Sequence, residues 1–443
     1  MTASITDLPL ELLVNILVRQ KNLSEKLRLC FVSRQFNKAI KQRACWDNVH
    51  TLAFTISGFH RLKVRINNRT WKTLEPPYSD TDSARLSGVL AFLCAHCTKV
   101  GLFRLTDGHA NSQVRTSSGT LRTMHMMINI LLEQQKLNRF LLPNLMKFVF
   151  AITLQDNNCA AVVRLLRVFK TVPQLDLCMK LSNPLSMHSW SNVRSTISAN
   201  GVNVRELQLH SLHAEGHHDL SGLFGQLISL KRLILHSVGQ TSTSRDQTGT
   251  ATSANMQQAL DNLPSPGILA TLELHNACRA DSWQLPALTI VWKIRSDVAR
   301  SLTRLSLIGC HPSLGSSDEA RDVLVILAGR MSNIEHLEIA EGGDYLLRIR
   351  LVDFALICRA WLDNLCMRSS PEDTNVAHHT IELSLECALA QDLVLVRQHL
   401  QSHAQLQHRC RIDVQPLRVE YFCVNLKLDN GDGVYMVIGR YDD

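Results

Sequence analysis

"LKRLIL", residues 230–235, is a phrase that the chain repeats. With aliphatics standing in for leucine, the same L-x-x-L-x-L spacing occurs as "LMKFVF" from Leu145, "VPQLDL" from Val172 and "VRELQL" from Val204. It returns as "LATLEL" from Leu269, "LTRLSL" from Leu302 and "IEHLEI" from Ile334, while "VGLFRL" from Val100 is a weaker, earlier copy. From Leu145 onward the starts are spaced near-regularly, and only the step from Leu230 to Leu269 is clearly longer than the others. One match to so permissive a template carries little. Seven at such spacing, each followed by a turn and a helical stretch, define a repeat array.

The physics of such an array follows from the spacing. In L-x-L the two leucines point inward from one short strand, and the residue between them faces solvent. The leucine three places earlier closes the layer beneath. No repeat can bury its own core, so each packs on its neighbours and the stack curves. The expected fold is α/β, a curved solenoid of short parallel strands alternating with helices. Its concave row would be Gln208, Ile234, Glu273, Ser306 and Glu338. Ile234 stands out, because an aliphatic at an exposed position is either an anchor or is covered by a neighbouring loop or cap. Cys310, closing "LSLIGC", reads as a structural residue of the turn.

The long step between Leu230 and Leu269 contains "TSTSRDQTGTATSAN" (241–255), Ser/Thr-rich and without an apolar anchor. It reads as a disordered insertion in a loop, not a boundary. "EPPYSDTDS" (75–83) and "TDGHANSQVRTSSG" (106–119) read as flexible loops. Past about residue 345 the pattern fades into a long apolar helix, "YLLRIRLVDFALICRAWLDNLCM", and one last strand, "TIELSLEC". "LRVEYFCVNLKLDNGDGVYMVIGRY" then reads as two alternating strands joined through Asp429-Asn430-Gly431-Asp432-Gly433, a strong hairpin signal. This helix plus hairpin is the candidate C-terminal cap of the array, within a region spanning 346–443.

The N-terminal stretch, Met1 to His50, has another texture. "ITDLPLELLVNIL" (5–17) places Pro9 at a helix start and Glu11 near the positive dipole end. Leu8, Leu12, Leu13, Ile16 and Leu17 then fall on one face. "SEKLRLCF" reads as a second short helix. "VSRQFNKAIKQR" reads as a third, with Val32, Phe36, Ala39 and Ile40 in one stripe, and Trp46 follows. Eight bases against four acids give this stretch +4, half of the chain's net +8. Such an excess suits an acidic partner or nucleic acid, and equally a solvated helix face. Three helices in so short a stretch are at the lower limit of independent stability.

This N-terminal segment resembles the F-box, whose pattern is Leu-Pro-x-Glu, a Leu/Ile-rich helix, a short helix, a "VSRxW"-type third helix and a closing Trp. Here those residues are Leu8, Pro9, Glu11, Leu12, Leu13, Ile16 and Leu17, then Leu27, then Val32, Ser33 and Arg34, then Trp46. Phe36 stands where the family most often has Trp. Followed by the repeats, the segment makes the chain similar to the F-box proteins with C-terminal leucine-rich repeats. The resemblance implies a three-helix F-box over residues 1–50, a leucine-rich-repeat solenoid over 51–345 and the cap region beyond. It implies a substrate-recognition subunit of a cullin-RING (SCF-type) ubiquitin ligase, docking through an adaptor, S-phase kinase-associated protein, and through it on cullin. Leu8, Pro9, Leu12, Leu13, Ile16, Val32 and Phe36 would contact the adaptor. The concave row, Gln208, Ile234, Glu273, Ser306 and Glu338, would contact a protein target.

Chemistry of its own is not expected. No P-loop, HExxH, GxSxG or dinucleotide-binding pattern occurs, so no enzyme and no cofactor are expected. "CAHC" (Cys94, His96, Cys97) has zinc-like spacing without a second ligand pair, and its plain reading is two buried thiols on a helix. His217-His218 and His378-His379 fall in polar connections. The bases are spread out and no nucleic-acid motif appears, so nucleic acid is not an expected partner. No run of about 18 apolar residues suggests a membrane span. Thirteen scattered cysteines suit a reduced cytoplasmic or nuclear setting. The competing classes are a scaffold outside any ligase, with the N-terminal helices as the solenoid's cap, and a small-molecule receptor using a pocket in the concave face.

Overall fold

In the computed structural model the leucine phrases become strands. The structure describes residues 8–20, 33–57, 61–75, 80–108, 118–136, 142–181, 185–213, 220, 223–238, 261–263, 267–276, 294–308, 317–340, 347–368, 380–385, 387–388, 393–403, 406, 409–418 and 421–439. The chain divides into two compact units, Met1–Arg205 and Glu206–Asp443.

In the first unit, α1 (Leu10–Arg19) starts directly after Pro9, whose carbonyl accepts from the amides of Leu12 and Leu13 at 3.1 Å. Glu11 in the first turn and Arg19 in the last both complement the helix dipole. α2 (Arg34–Ile40) is capped by Ser33, whose hydroxyl accepts from the Phe36 amide at 3.2 Å. A single 3-10 turn, Arg43–Trp46, follows, and the Trp46 indole donates to the Ile40 carbonyl at 2.6 Å. The middle helix expected within residues 24–31 lies outside the described residues.

Next comes an antiparallel meander, β1 (Thr51–Ser57), β2 (Arg61–Ile66) and β3 (Arg69–Leu74). α3 (Asp80–His96) leads into β4 (Leu102–Asp107), which returns parallel to β1. α4 (Ser118–Lys136), β5 (Lys147–Leu154), α5 (Asp156–Val168), β6 (Gln174–Leu181) and α6 (Met187–Ala199) continue the alternation. β4, β5 and β6 pair in parallel, and α4 and α5 supply the crossovers that parallel neighbours need. Trp46 meets Phe92 of α3 edge-on at 5.2 Å between ring centroids, which ties the N-terminal helices to this layer.

The second unit carries on from β7 (Val204–His213), which begins just before the division. β8 (Arg232–Val238), β9 (Thr271–Asn276), β10 (Arg304–Ile308) and β11 (His336–Ala340) follow, each parallel to the one before. α7 (Ser296–Ser301) and α8 (Ser317–Arg330) stand between them. A short β12 (Leu347–Arg348) precedes α9 (Leu351–Arg368) and β13 (Thr380–Leu385), which is parallel to β11. β14 (Cys387–Ala388) pairs with β12, and α10 (Leu393–Ser402) leads to β15 (Arg411–Arg418), β16 (Tyr421–Lys427) and β17 (Gly433–Gly439). In both units the architecture is α/β and mostly parallel, and the strands do not close into a barrel.

The leucine reading of the core holds at every repeat. The fourth positions, Phe148, Leu175, Leu207, Leu233, Leu272, Leu305 and Leu337, are all fully buried. Leu207, Leu233, Leu272, Leu305, Leu337 and Leu383 lie in one register row across six strands. Each such side chain contributes about 1.5–3 kcal/mol by leaving water. A polar device accompanies them. The residue just before the first leucine donates to a carbonyl of the preceding repeat: Asn144 to Thr98, Asn203 to Lys170 and Asn333 to Arg300 at 2.7 Å, and Ser301 to Leu269 at 2.8 Å.

Some expectations need correction. Residues 80–83 of the expected loop 75–83 are the first turn of α3, and residues 118–119 of the loop 106–119 open α4. The long apolar helix begins at Leu351, after β12 has taken the residues before it. The C-terminal hairpin forms as read, with the Leu428 amide donating to the Asp432 carbonyl at 2.8 Å and Gly431 at φ 94°. It extends the sheet through a parallel β13–β17 pair, because Val434, Met436 and Ile438 supply another buried row. β15 and α10 had no counterpart in the sequence reading. The segment 241–255 lies outside the described residues.

Candidate functional site

Two surfaces carry the residues singled out in the sequence. On α1, helical periodicity sorts the leucines. Leu13 and Leu17 are fully buried, and Phe36 of α2 joins them at 1% exposure. Outside that buried stripe, Leu12 (48%) and Ile16 (38%) are exposed on one flank, and Leu10 (36%) and Val18 (40%) on the other. Leu12 and Ile16 stand one turn apart and are therefore neighbours on that surface. Pro9 is exposed and Leu8 half-buried beside it, while Val32 lies outside the described residues. Arg19, Arg34, Lys38 and Lys41 are exposed on the same small helical unit. Of the seven positions named for the adaptor, Leu13 and Phe36 are turned into the core.

The sheet face of the second unit carries the other set. The parallel register aligns Gln208, Ile234, Glu273, Ser306 and Glu338 in one row. The expectation that all five face solvent does not hold. Ile234 is 4%, Glu273 8% and Ser306 1% exposed, whereas Gln208 and Glu338 are half-buried. Strands about 5 Å apart bring such side chains together, so the face covers itself. Ser306 donates its hydroxyl to Glu338 Oε2 at 2.8 Å.

The neighbouring row is an ion chain. Arg232 bridges Glu206 at 3.4 Å and Glu273 at 3.1 Å, and Arg304 bridges Glu273 at 3.6 Å and Glu338 at 3.8 Å. Glu273 sits at the centre. Its carboxyl is held down to about 2, first by the hydrogen bond from His275 and then by Arg232 and Arg304, against the opposing effect of burial.

On the other side of the row stand three histidines. His210, His236 and His275 stack face to face, with ring centroids 4.2 and 4.1 Å apart and planes within 17° and 24° of parallel. His210 Nε2 lies 3.4 Å from Gln208 Oε1, and His275 Nε2 lies 3.4 Å from Glu273 Oε2. Burial pushes the middle imidazole, His236, down to about 3, and the two flanking rings add to the effect. The sequence reading missed this stack. Its one signal was a His two places after the x of three successive L-x-L phrases.

No family model matches the sequence, and no curated protein matches it. The assignment of function therefore rests on these two surfaces. Among the described residues no group of three His, Cys, Asp or Glu is arranged to hold a metal ion. Cys94 and Cys97 are buried at the end of α3, and Cys94 is pushed up to about 12, by burial first and by Cys97 second. Such a thiol stays protonated and is a poor nucleophile. Cys310, His217, His218, His378 and His379 lie outside the described residues. No helix among the described residues is long and apolar enough to cross a membrane.

Proposed function

We propose that this chain is the substrate-recognition subunit of a cullin-RING (SCF-type) ubiquitin ligase, its N-terminal helices docking the adaptor and its repeats holding a target protein. The observation that carries the reading is the split face of α1. Leu13 and Leu17 suffice for its own core, yet Leu10, Leu12, Ile16 and Val18 remain apolar and exposed. A helix that needed only to pack would carry polar residues there. The surrounding bases suit an acidic adaptor. The repeats support the leucine-rich-repeat solenoid as the finer description of the fold: each buries its leucines only against its neighbours, and the strand phrases recur at near-regular steps. The chain contributes no reacting group, and catalysis comes from bringing a target close to a ubiquitin-conjugating enzyme.

The row on the second unit's sheet face makes its target contacts through Gln208, Glu338 and the guanidiniums of Arg232 and Arg304. Ile234, Glu273 and Ser306 serve beneath them. This reading is tested by removing the chain from cells that express it and quantifying the proteins that accumulate. The reading expects a small set that falls again on re-expression of the wild type and not of the Leu12→Ala, Ile16→Ala variant. Accumulation of nothing, or equal rescue by both, counts against it.

A second reading is favoured by Trp46. Its edge-on contact with Phe92 makes the N-terminal helices a lid on the layer behind them. In that reading the chain is a scaffold outside any ligase, and the helices are the solenoid's cap. Deleting residues 1–50 then unfolds the rest and removes no adaptor.

A further inference from the structure

The three stacked histidines ask for an explanation, because they occupy matching ends of three consecutive strands on a face that is otherwise ion-paired. Backbone pairing is regular between β8 and β9, where His236 and His275 are register partners. Between β7 and β8 the register shifts after Leu209 and resumes at Leu212, so His210 sits in the irregular stretch. There the ring contact, at 4.2 Å, spans a gap in the backbone ladder. The stack therefore holds the ends of these strands together where hydrogen bonds do so less well.

We propose that the His210–His236–His275 stack is an acid-operated latch: closed while its rings are neutral, and released when protons accumulate on it. Two features of the geometry carry this. Neighbouring rings are about one ring-stacking distance apart, so two adjacent imidazolium charges would repel strongly in a partly desolvated face. The ends and the middle also differ. Each end ring has an acceptor two places before it on its own strand, Gln208 for His210 and Glu273 for His275. The middle ring has Ile234 at that place, whose side chain accepts nothing. An end ring thus has an acceptor beside it on its own strand, whereas the middle ring lies between two other imidazoles.

The charged groups facing the stack set the threshold. Glu273 on β9 acts on the middle ring directly, and Glu206 on β7, Arg232 on β8 and Arg304 on β10 are linked to it through the ion chain. Glu273 is already engaged by both arginines and by His275. Its charge favours a proton on His236, but burial and the two flanking rings outweigh it. The consequence is a face whose strand ends loosen as the surroundings acidify, whichever partner it holds. The inference does not depend on the ligase reading.

The test uses the full chain alone. Amide hydrogen exchange in β8 and β9 is compared at about pH 7.5 and about pH 5.5, corrected for intrinsic chemistry, for the wild type and for His236→Phe, which keeps a stacked ring without a titrating group. The wild type is expected to open at least roughly tenfold more often at the lower pH, and His236→Phe to lose most of that difference. Equal acceleration in both overturns the latch, as does none in the wild type. Should His236→Phe unfold at neutral pH, His210→Gln with His275→Gln gives an independent measurement. With uncharged neighbours, the His236 ring resonances, followed by NMR, are expected to titrate at a higher pH than in the wild type. An unmoved titration overturns the proposal.

Discussion

Trp46 shows at the residue scale how much one side chain can decide. It is fully buried, donates its indole proton to Ile40 and meets Phe92 edge-on. Trp46→Ala is expected to lower stability by about 3–5 kcal/mol, read from the denaturant midpoint, because cavity and lost hydrogen bond add together. His236 and Glu273 make the pH dependence. A histidine held below its ordinary value leaves the unfolded chain binding more protons, so stability is intact above about 6.5 and declines as pH falls toward about 3. Glu273, held at about 2, adds a second loss as pH falls from about 4.5. Melting temperatures across that range are expected to fall on the acid side, and His236→Phe to flatten the upper part of the fall. At this scale the sequence named the right positions but not their exposure. Ile234, Glu273 and Ser306 were placed in the correct register row, yet cross-strand cover depends on neighbours a whole repeat away along the chain.

Elements were more legible where periodicity was strong. Every L-x-L phrase is a strand because two leucines in alternation suit a strand with one buried face, and the parallel register follows from the repeat interval. Leu233→Ala within the leucine row is expected to cost about 2–5 kcal/mol in chemical denaturation. The asparagines were invisible as a device, since an Asn before an apolar run is also an ordinary turn residue. Asn333→Ala is expected to cost about 1 kcal/mol, because the Arg300 carbonyl loses its donor. Gly267 was equally silent. A Cβ there would come within 2.7 Å of the Asp297 carbonyl oxygen and 2.8 Å of Val298 Cα, so Gly267→Ala forces one repeat's backbone off the next. That substitution is expected to cost about 1–3 kcal/mol in the same assay. β15 and α10 escaped notice because "RIDVQPLR" contains Pro416 and the helix lacks a strong cap signal. An edge strand tolerates that proline where a central one would not.

For the whole molecule, pattern across the chain outweighs any single motif. The N-terminal helices alone are an ordinary amphipathic pair. Their meaning comes from the exposed apolar residues of α1 together with the run of repeats that follows them. The division of labour is physical: Leu13 and Leu17 hold the helix in place, and the exposed Leu12 and Ile16 can hold something else. The central claim is that this exposed face recruits the adaptor. Its most direct test is binding of the purified full chain to the purified adaptor, for the wild type and for Leu12→Ala with Ile16→Ala. Because both side chains are exposed, the double variant is expected to keep its melting behaviour within about 0.5 kcal/mol of wild-type stability while losing adaptor binding. A wild-type chain that retains no adaptor, or a variant that binds as well as the wild type, would contradict the account.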